Sequence, residues 1–261
     1  MLNKLSFLFI GDIIGKAGRN ALAREMKDLK EKYSPDMIIA NGENLAGGFG
    51  MTKSTVDAVF ASGVDVLTSG NHIWDNKEFS ELLKDERILR PMNYHPSLPG
   101  RGFYIYKIKN VDVCVTNLCG RIFMQPLDCP FRKMDELLEK IEAKVIIADF
   151  HAEATAEKQA FAYYLDGRVS AVIGTHTHCQ TADERILKNK TAFITDVGLT
   201  GSIDSIIGFE PEGAIRRTLL QVSQRFEVAK EMTAVNALFF EVNAETGEAV
   251  SIERIFKYAK D

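Results

Sequence analysis

Val169-Ser170-Ala171-Val172-Ile173-Gly174-Thr175-His176-Thr177-His178 decides how the rest of the chain folds. Its apolar run, Val169 to Ile173, reads as a buried strand, and it ends in a glycine followed by His-x-His. Along an extended strand residues i and i+2 point the same way. The triplet can therefore aim His176 and His178 at one point, which suits a metal. Other apolar runs close in the same manner, at Gly11-Asp12, Gly42-Glu43-Asn44, Gly70-Asn71-His72 and Asp149-Phe150-His151. Ligands of open α/β sheets gather outside the carboxyl ends of strands. Strand ends that all carry metal-ligand chemistry predict one site.

Between these ends the hydrophobic period alternates. Strands are expected at Leu5 to Ile10, Asp36 to Ala40 and Val64 to Thr68. Helices are expected at Arg19 to Tyr33, at Lys53 to Ser62 with Thr52 as N-cap, and at Asn76 to Lys84 with Asp75 in capping position. That order argues for parallel strands with crossover helices. A turn-rich stretch, Leu89 to Gly102, precedes strands Tyr104 to Ile108 and Val111 to Asn117, joined by a tight turn at Lys109-Asn110. A loop, Cys119 to Pro130, leads to a helix at Lys133 to Ala143. Strand Val145 to Phe150, helix Ala156 to Leu165 and strand Ser170 to Gly174 come next. The late strands are Thr191 to Asp196, Val235 to Val242 and Ala249 to Phe256. No repeat, low-complexity tract or linker interrupts residues 1–261, so one α/β domain with an added antiparallel part is expected.

Composition narrows the function. A hydrophobic content of 46% and a charged content of 26% are ordinary for a soluble globular chain of 261 residues. The net charge of −4 offers no general attraction to nucleic acid or an anionic membrane, so no autonomous nucleic-acid binding is expected. Cys114, Cys119, Cys129 and Cys179 form no C-x-x-C pair and fit a reducing compartment. Met1 to Ile10 has Lys4 ahead of an apolar run, but the run is too short for a signal peptide and Gly11-Asp12 ends it without a cleavage site. No run approaches the roughly twenty apolar residues that a membrane span needs. A cytoplasmic protein without a membrane partner is expected, and a homo-oligomeric state is left open.

The candidate ligands are Asp12, Glu43, Asn44, Asn71, His151, His176 and His178. They offer hard oxygen, neutral amide oxygen and imidazole nitrogen, more donors than one tetrahedral ion uses. Two ions sharing a carboxylate would use them all, and the mixed set suits iron, manganese or zinc. Singly, each has a plainer explanation: a core histidine, a turn aspartate, or an asparagine in a left-handed turn. Their shared placement at strand ends outweighs these.

Gly70-Asn71-His72 and Gly174 to His178 resemble the third and fifth motifs of the calcineurin-like metallophosphoesterases, and Gly11-Asp12 is similar to the first. The usual Asp-x-His is absent, because Ile14 stands in place of the histidine. Glu43 stands where the bridging aspartate normally sits, and Asn44 beside it offers a replacement oxygen. With Asn41-Gly42-Glu43-Asn44, Asp149-Phe150-His151-Ala152-Glu153, Asp196-Val197-Gly198 and Phe209-Glu210-Pro211-Glu212-Gly213, the pattern resembles the YmdB-like phosphodiesterase branch over nearly the whole chain.

The resemblance implies an α/β/β/α sandwich of two mixed sheets with the metal site at the strand carboxyl ends. It implies two divalent or mixed-valence ions, iron first and manganese or zinc next. One would be held by Asp12, Glu43, Asn44 and His178, the other by Glu43, Asn71, His151 and His176, with Glu43 bridging. Two close cations acidify a bridging water, giving a hydroxide that attacks phosphorus, and stabilise the charge built on the phosphoryl oxygens. His72 matches the family's proton donor to the leaving alkoxide. The substrate implied is a small cyclic nucleotide, with 2′,3′-cyclic nucleoside monophosphates favoured. A metal-dependent phosphomonoesterase, and a regulatory RNA-associated protein with a metal sensor site, are the alternatives.

The remaining features have modest readings. Gly11 to Lys16 lacks the spacing of a phosphate loop and serves as a turn. Gly47-Gly48-Phe49-Gly50 lets the backbone pass close to the site, or else forms a lid. His95 is expected to be structural, with substrate contact as the alternative, and Trp74 to pack beneath the site rather than stack a base. Arg216-Arg217, with Arg225 beyond, reads most simply as a solvated face, with phosphate steering as the alternative. No arginine adjoins a candidate ligand, although Lys16, Arg19 or Arg121 could fold in, and this favours a singly charged diester over a monoester dianion.

Overall fold

The computed structural model of the chain describes residues 3–223 and 226–260, so Met1, Leu2 and Arg225 lie outside the described residues. The strand β1 (Lys4–Ile10) buries Leu5, Phe7 and Phe9 on one face and Leu8 and Ile10 on the other. A strand apolar on both faces belongs in the middle of a layered fold. It runs parallel to β3 (Met37–Asn41), which runs parallel to β4 (Val66–Thr68). On its other side β1 meets β12 (Thr233–Asn243) antiparallel. Beyond lie β2 (Asp12–Ile13), β11 (Leu199–Ser202) and β13 (Ala249–Tyr258), completing a 7-stranded mixed sheet.

The second, 6-stranded sheet has the order β5 (Phe103–Ile108), β6 (Val111–Cys119), β7 (Val145–His151), β8 (Ala171–Thr175), β10 (Ala192–Ile194), β9 (Arg185–Ile186). Its inner strands β6, β7, β8 and β10 are parallel, with antiparallel strands at the edges. The β5–β6 hairpin turns on Lys109 and Asn110, at φ 47 and 68. Positive φ at both centres is the turn whose twist matches paired strands.

Alternation along the strands sorts the apolar side chains into three layers. Leu5, Phe7, Phe9, Val145, Ile147, Ala171 and Ile173 fill the space between the sheets. Leu8 and Ile10 face α1 (Gly15–Tyr33) and α2 (Lys53–Ala61) through Leu22, Met26, Val56 and Val59. Ile146, Phe150 and Val172 face α4 (Pro130–Leu138) and α5 (Thr155–Leu165) through Met134, Leu137, Phe161 and Leu165. The result is the α/β/β/α sandwich. Each fully buried large side chain contributes about 1.5–3 kcal/mol, so all three layers add to the stability.

Several boundaries differ from expectation, each for a local reason. Helix α1 begins at Gly15 rather than Arg19. Gly18 is a poor helix former on sequence, yet any Cβ there would lie 2.2 Å from the Thr200 carbonyl, so only glycine lets α1 dock on β11. The expected helix Asn76 to Lys84 shrinks to α3 (Phe79–Leu82), preceded by a 3-10 turn over Asn71–Trp74. Helix α4 starts at Pro130, whose missing N–H costs nothing in a first turn, and stops at Leu138 rather than Ala143. Helix α6 (Pro211–Leu220) was not expected, because it buries only Ala214 and so shows no apolar stripe. Thr52 caps α2 as expected, reciprocally with Thr55. Among the described residues no helix is long and apolar enough to cross a membrane.

Candidate active site

The carboxyl ends of β1, β3, β4, β7 and β8 come together where the two sheets meet. Asp12 lies just beyond β1, Glu43 and Asn44 beyond β3, and Asn71 and His72 beyond β4. His151 ends β7, and His176 and His178 follow β8. Here the apolar filling between the sheets gives way to buried polar groups. The Asp149 carboxylate accepts from Asn41 Nδ2 at 3.0 Å, from Thr175 Oγ1 at 2.7 Å and from the Thr68 hydroxyl. Thr175 Oγ1, having given its proton to Asp149, lies 2.8 Å from His151 Nδ1 and accepts from it. That leaves His151 Nε2 as the nitrogen facing the site, the orientation a metal ligand needs.

Glu43 is the centre of the arrangement. Its Oε1 lies 3.0 Å from His151 Nε2, which in turn is 3.0 Å from His176 Nδ1. Donor atoms of Glu43, His151 and His176 all lie within 4.8 Å of one another, and so do those of Asp12, Glu43 and His178. Glu43 belongs to both groups. Asp12 Oδ1, Asn44 Oδ1 and Asn71 Oδ1 are buried without a hydrogen-bond partner. Asn44 Nδ2 donates to the Gly48 carbonyl at 2.8 Å, so the oxygen is the end of that amide left over. A buried polar atom without a partner costs about 1–3 kcal/mol, and all three belong to candidate ligands. Carboxylate, amide oxygen and imidazole together fit a divalent cation.

The buried ionisable groups of the cluster shift one another strongly. Burial pushes the Asp12 carboxyl well above the usual range, and Asp196, Glu43 and Asp149 add to that, against His151. Burial acts on Glu43 in the same sense, but His151, with His72 and His176, holds it at about 2. Burial would lower His151, yet Glu43, Asp12 and Asp149 raise it to about 9. His176, buried and beside His151, falls to about 3, and burial lowers His178 too. Among these groups His151 is the imidazolium that faces the Glu43 carboxylate.

The two histidines do not converge by strand alternation as the His-x-His spacing suggested. Strand β8 ends at Thr175, and His176 and His178 have φ of 101 and 65. This left-handed backbone is uncommon for side-chain-bearing residues, and it is where site strain concentrates. It places one ring in each of the two donor groups that share Glu43. Asp196 holds the turn by accepting from the Thr177 N–H at 3.0 Å and hydroxyl at 2.8 Å, and it is paired at 2.6 Å with the fully buried Lys158. Lys158 gave no sequence signal beyond its place on the buried face of α5.

His72 lines the mouth of this cluster. Its Nδ1 lies 2.7 Å from Asp75 Oδ2, so Asp75 fixes the imidazole instead of capping a helix, and the His72 N–H donates to Glu43 Oε2 at 3.2 Å. A cavity of about 440 Å³ opens above, lined by Glu43, Phe49, His72, Glu153, Phe209 and Arg217 among others. Glu153 Oε2 lies 3.1 Å from His176 Nε2, a contact the His151-x-Glu153 spacing could have signalled. The expectation of a site without arginine is corrected, since α6 brings Arg217 into the cavity wall. Lys16 and Arg19 line a separate hollow and Arg121 another. His95 bonds Ser97 at 2.8 Å, and Trp74 packs against Phe79 and Tyr94.

Gly70 shows how tightly the centre is built. A Cβ there would lie 2.2 Å from Glu43 Oε2 and 2.3 Å from His151 Nε2. Gly70→Ala is expected to destabilise the fold by about 1–3 kcal/mol through overpacking, and to weaken metal uptake with it. Thermal unfolding and metal titration measure the two, and an alanine variant that unfolds and loads like the parent refutes this reading of the packing.

A family model described as YmdB-like protein matches residues 8–255. The chain belongs to that family. It is 44% identical over 254 residues, spanning 96% of each chain, to the 2′,3′-cyclic-nucleotide 2′-phosphodiesterase of Bacillus subtilis. The crystal structure of a phosphatase from Mycoplasma pneumoniae superposes with a TM-score of 0.96 at 36% identity, over 100% of this chain and 96% of that one. A 5′-nucleotidase from Staphylococcus aureus shares the fold at a TM-score of 0.64 and 16% identity, over 99% of this chain and 55% of that one. The expected YmdB-like family and the metallophosphoesterase-like fold are both borne out, as is the expected class of enzyme, a phosphoesterase.

Proposed function

We propose that the chain is a dinuclear metal-dependent phosphodiesterase acting on small cyclic nucleotides, with 2′,3′-cyclic nucleoside monophosphates as the favoured class. The observation that carries this reading is Glu43, shared by two donor groups beneath a cavity that also holds His72. Asp12, Glu43, Asn44 and His178 would hold one cation, and Glu43, Asn71, His151 and His176 the other. Iron is the first choice, with manganese or zinc next. Bound there, two cations supply an acidified water as nucleophile and positive charge for the phosphoryl oxygens.

The chain's own groups do the rest. Asp149 and Thr175 keep His151 Nε2 turned to the site, and Asp196 holds the turn at Thr177 that carries His176 and His178. His72, steadied by Asp75 through Nδ1, presents Nε2 to the cavity and gives its proton to the departing ribose oxygen. The cyclic diester gains one water and opens to a monoester. No side-chain nucleophile is needed.

The substrate class rests on the relative from Bacillus subtilis, because Arg217 removes the charge argument against a dianion. A phosphomonoesterase is accordingly the second reading. With metal-reconstituted protein, kcat/KM for 2′,3′-cyclic AMP is expected to exceed that for 3′-AMP by about tenfold or more, a difference in transition-state binding. Equal or better turnover of the monoester promotes the second reading.

A further inference from the structure

Phe49 is presented to the cavity by an unusual backbone. Gly47, Gly48 and Gly50 around it have φ of 65, 95 and 67, conformations that glycine alone adopts cheaply. A Cβ at residue 48 would also lie 2.7 Å from the Phe209 ring. These glycines carry the chain over Phe209 and leave the Phe49 ring 36% exposed in the cavity wall instead of in the core. The ring stands edge-on to His72, with centroids 5.0 Å apart, and stacks on Phe209 at 5.5 Å with an interplanar angle of 22°. Phe209 lies 5.0 Å from Phe226, and the Arg217 guanidinium lies 5.0 Å from the Phe226 centroid. One wall of the cavity is thus an aromatic row running from the proton-donor ring to a cation.

We propose that this wall is a nucleobase subsite, in which Phe49 supplies the stacking face and Arg217 donates to acceptor atoms on the base edge. Every base has a π face, so stacking is tolerant of sequence. A guanidinium offers donors only, so Arg217 favours edges rich in carbonyl and ring-nitrogen acceptors. The subsite lies beside His72, where a base must sit when its own ribose oxygen leaves towards that ring. The inference rests on the phosphodiesterase reading for the position of the ester, and it explains why the glycine-rich loop carries a phenylalanine.

Glycerol 1,2-cyclic phosphate has the same strained diester without a base. The test compares its kcat/KM with that of 2′,3′-cyclic AMP in the parent, Phe49→Ala, Phe49→Tyr and Arg217→Ala. Calorimetric binding of 3′-AMP and of inorganic phosphate to the same proteins is measured alongside. Phe49→Ala is expected to lower the ratio of cyclic AMP to glycerol ester by about tenfold, within the range for one stacked base. The loss should fall on KM more than kcat, 3′-AMP should bind more weakly by a similar factor, and Phe49→Tyr should restore both. Arg217→Ala should act in the same direction. If Phe49→Ala changes both esters by one factor, and 3′-AMP binding no more than phosphate binding, the ring merely packs beside His72 and the proposal is overturned. A parent protein that opens neither ester defeats the phosphodiesterase reading instead, and the binding arm still decides the subsite.

Discussion

Glu43→Gln is expected to cost the protein at least one of two metal ions and to lower phosphodiester turnover by more than about 100-fold. Replacing residues that only orient a ligand already costs about 10–100-fold in metal affinity or activity, and Glu43 stands in both donor groups. Glutamine keeps the shape and removes the charge. The change also deprives His151 of the carboxylate 3.0 Å from its Nε2. Elemental analysis after anaerobic reconstitution, with far-ultraviolet circular dichroism as a fold control, reads the outcome. A parent protein that saturates at one ion, with Glu43→Gln unchanged in metal content, would falsify the shared-ligand arrangement.

The layered fold was legible because periodicity records burial. Leu5 to Ile10, Val145 to Phe150 and the run before Gly174 are apolar on both faces, as central strands between helices and a second sheet must be. Elements that bury little left no trace: α6 exposes all but part of one face, and β2, β9 and β11 are too short for a pattern. The first turn of α1 is hidden from sequence because glycine is a poor helix former, and the reason for Gly18 is tertiary, the Thr200 carbonyl against it.

The site was legible to the extent that it hangs on strand ends. Asp12, Glu43, Asn44, Asn71, His72, His151, His176 and His178 were all placed there by sequence, and the structure gathers them. What sequence could not show was how they are aimed. His176 and His178 join different donor groups through left-handed backbone, which alternation along a strand does not anticipate. Lys158, Asp75 and Arg217 act from separate elements, and only tertiary contact reveals Lys158 under Asp196 or Arg217 over Phe226. The same limit misled the charge argument, since adjacency along the chain said nothing of α6 folding back.

His72→Ala separates chemistry from metal binding. The ring belongs to neither donor group, and its Nδ1 is committed to Asp75 at 2.7 Å. Only its backbone N–H touches Glu43, at 3.2 Å, and alanine keeps that contact. Metal content should therefore stay close to the parent's while turnover of 2′,3′-cyclic AMP falls by about two to four orders of magnitude, the usual worth of general acid assistance. The loss should fall on kcat and kcat/KM alike, because proton donation acts in the transition state and not in the ground state. It should also shrink with the need for a proton: bis(p-nitrophenyl) phosphate, whose leaving group departs readily as an anion, should lose far less than a ribose alkoxide. Metal content that collapses in His72→Ala makes the residue a ligand. An equal loss on both esters removes it from the proton transfer.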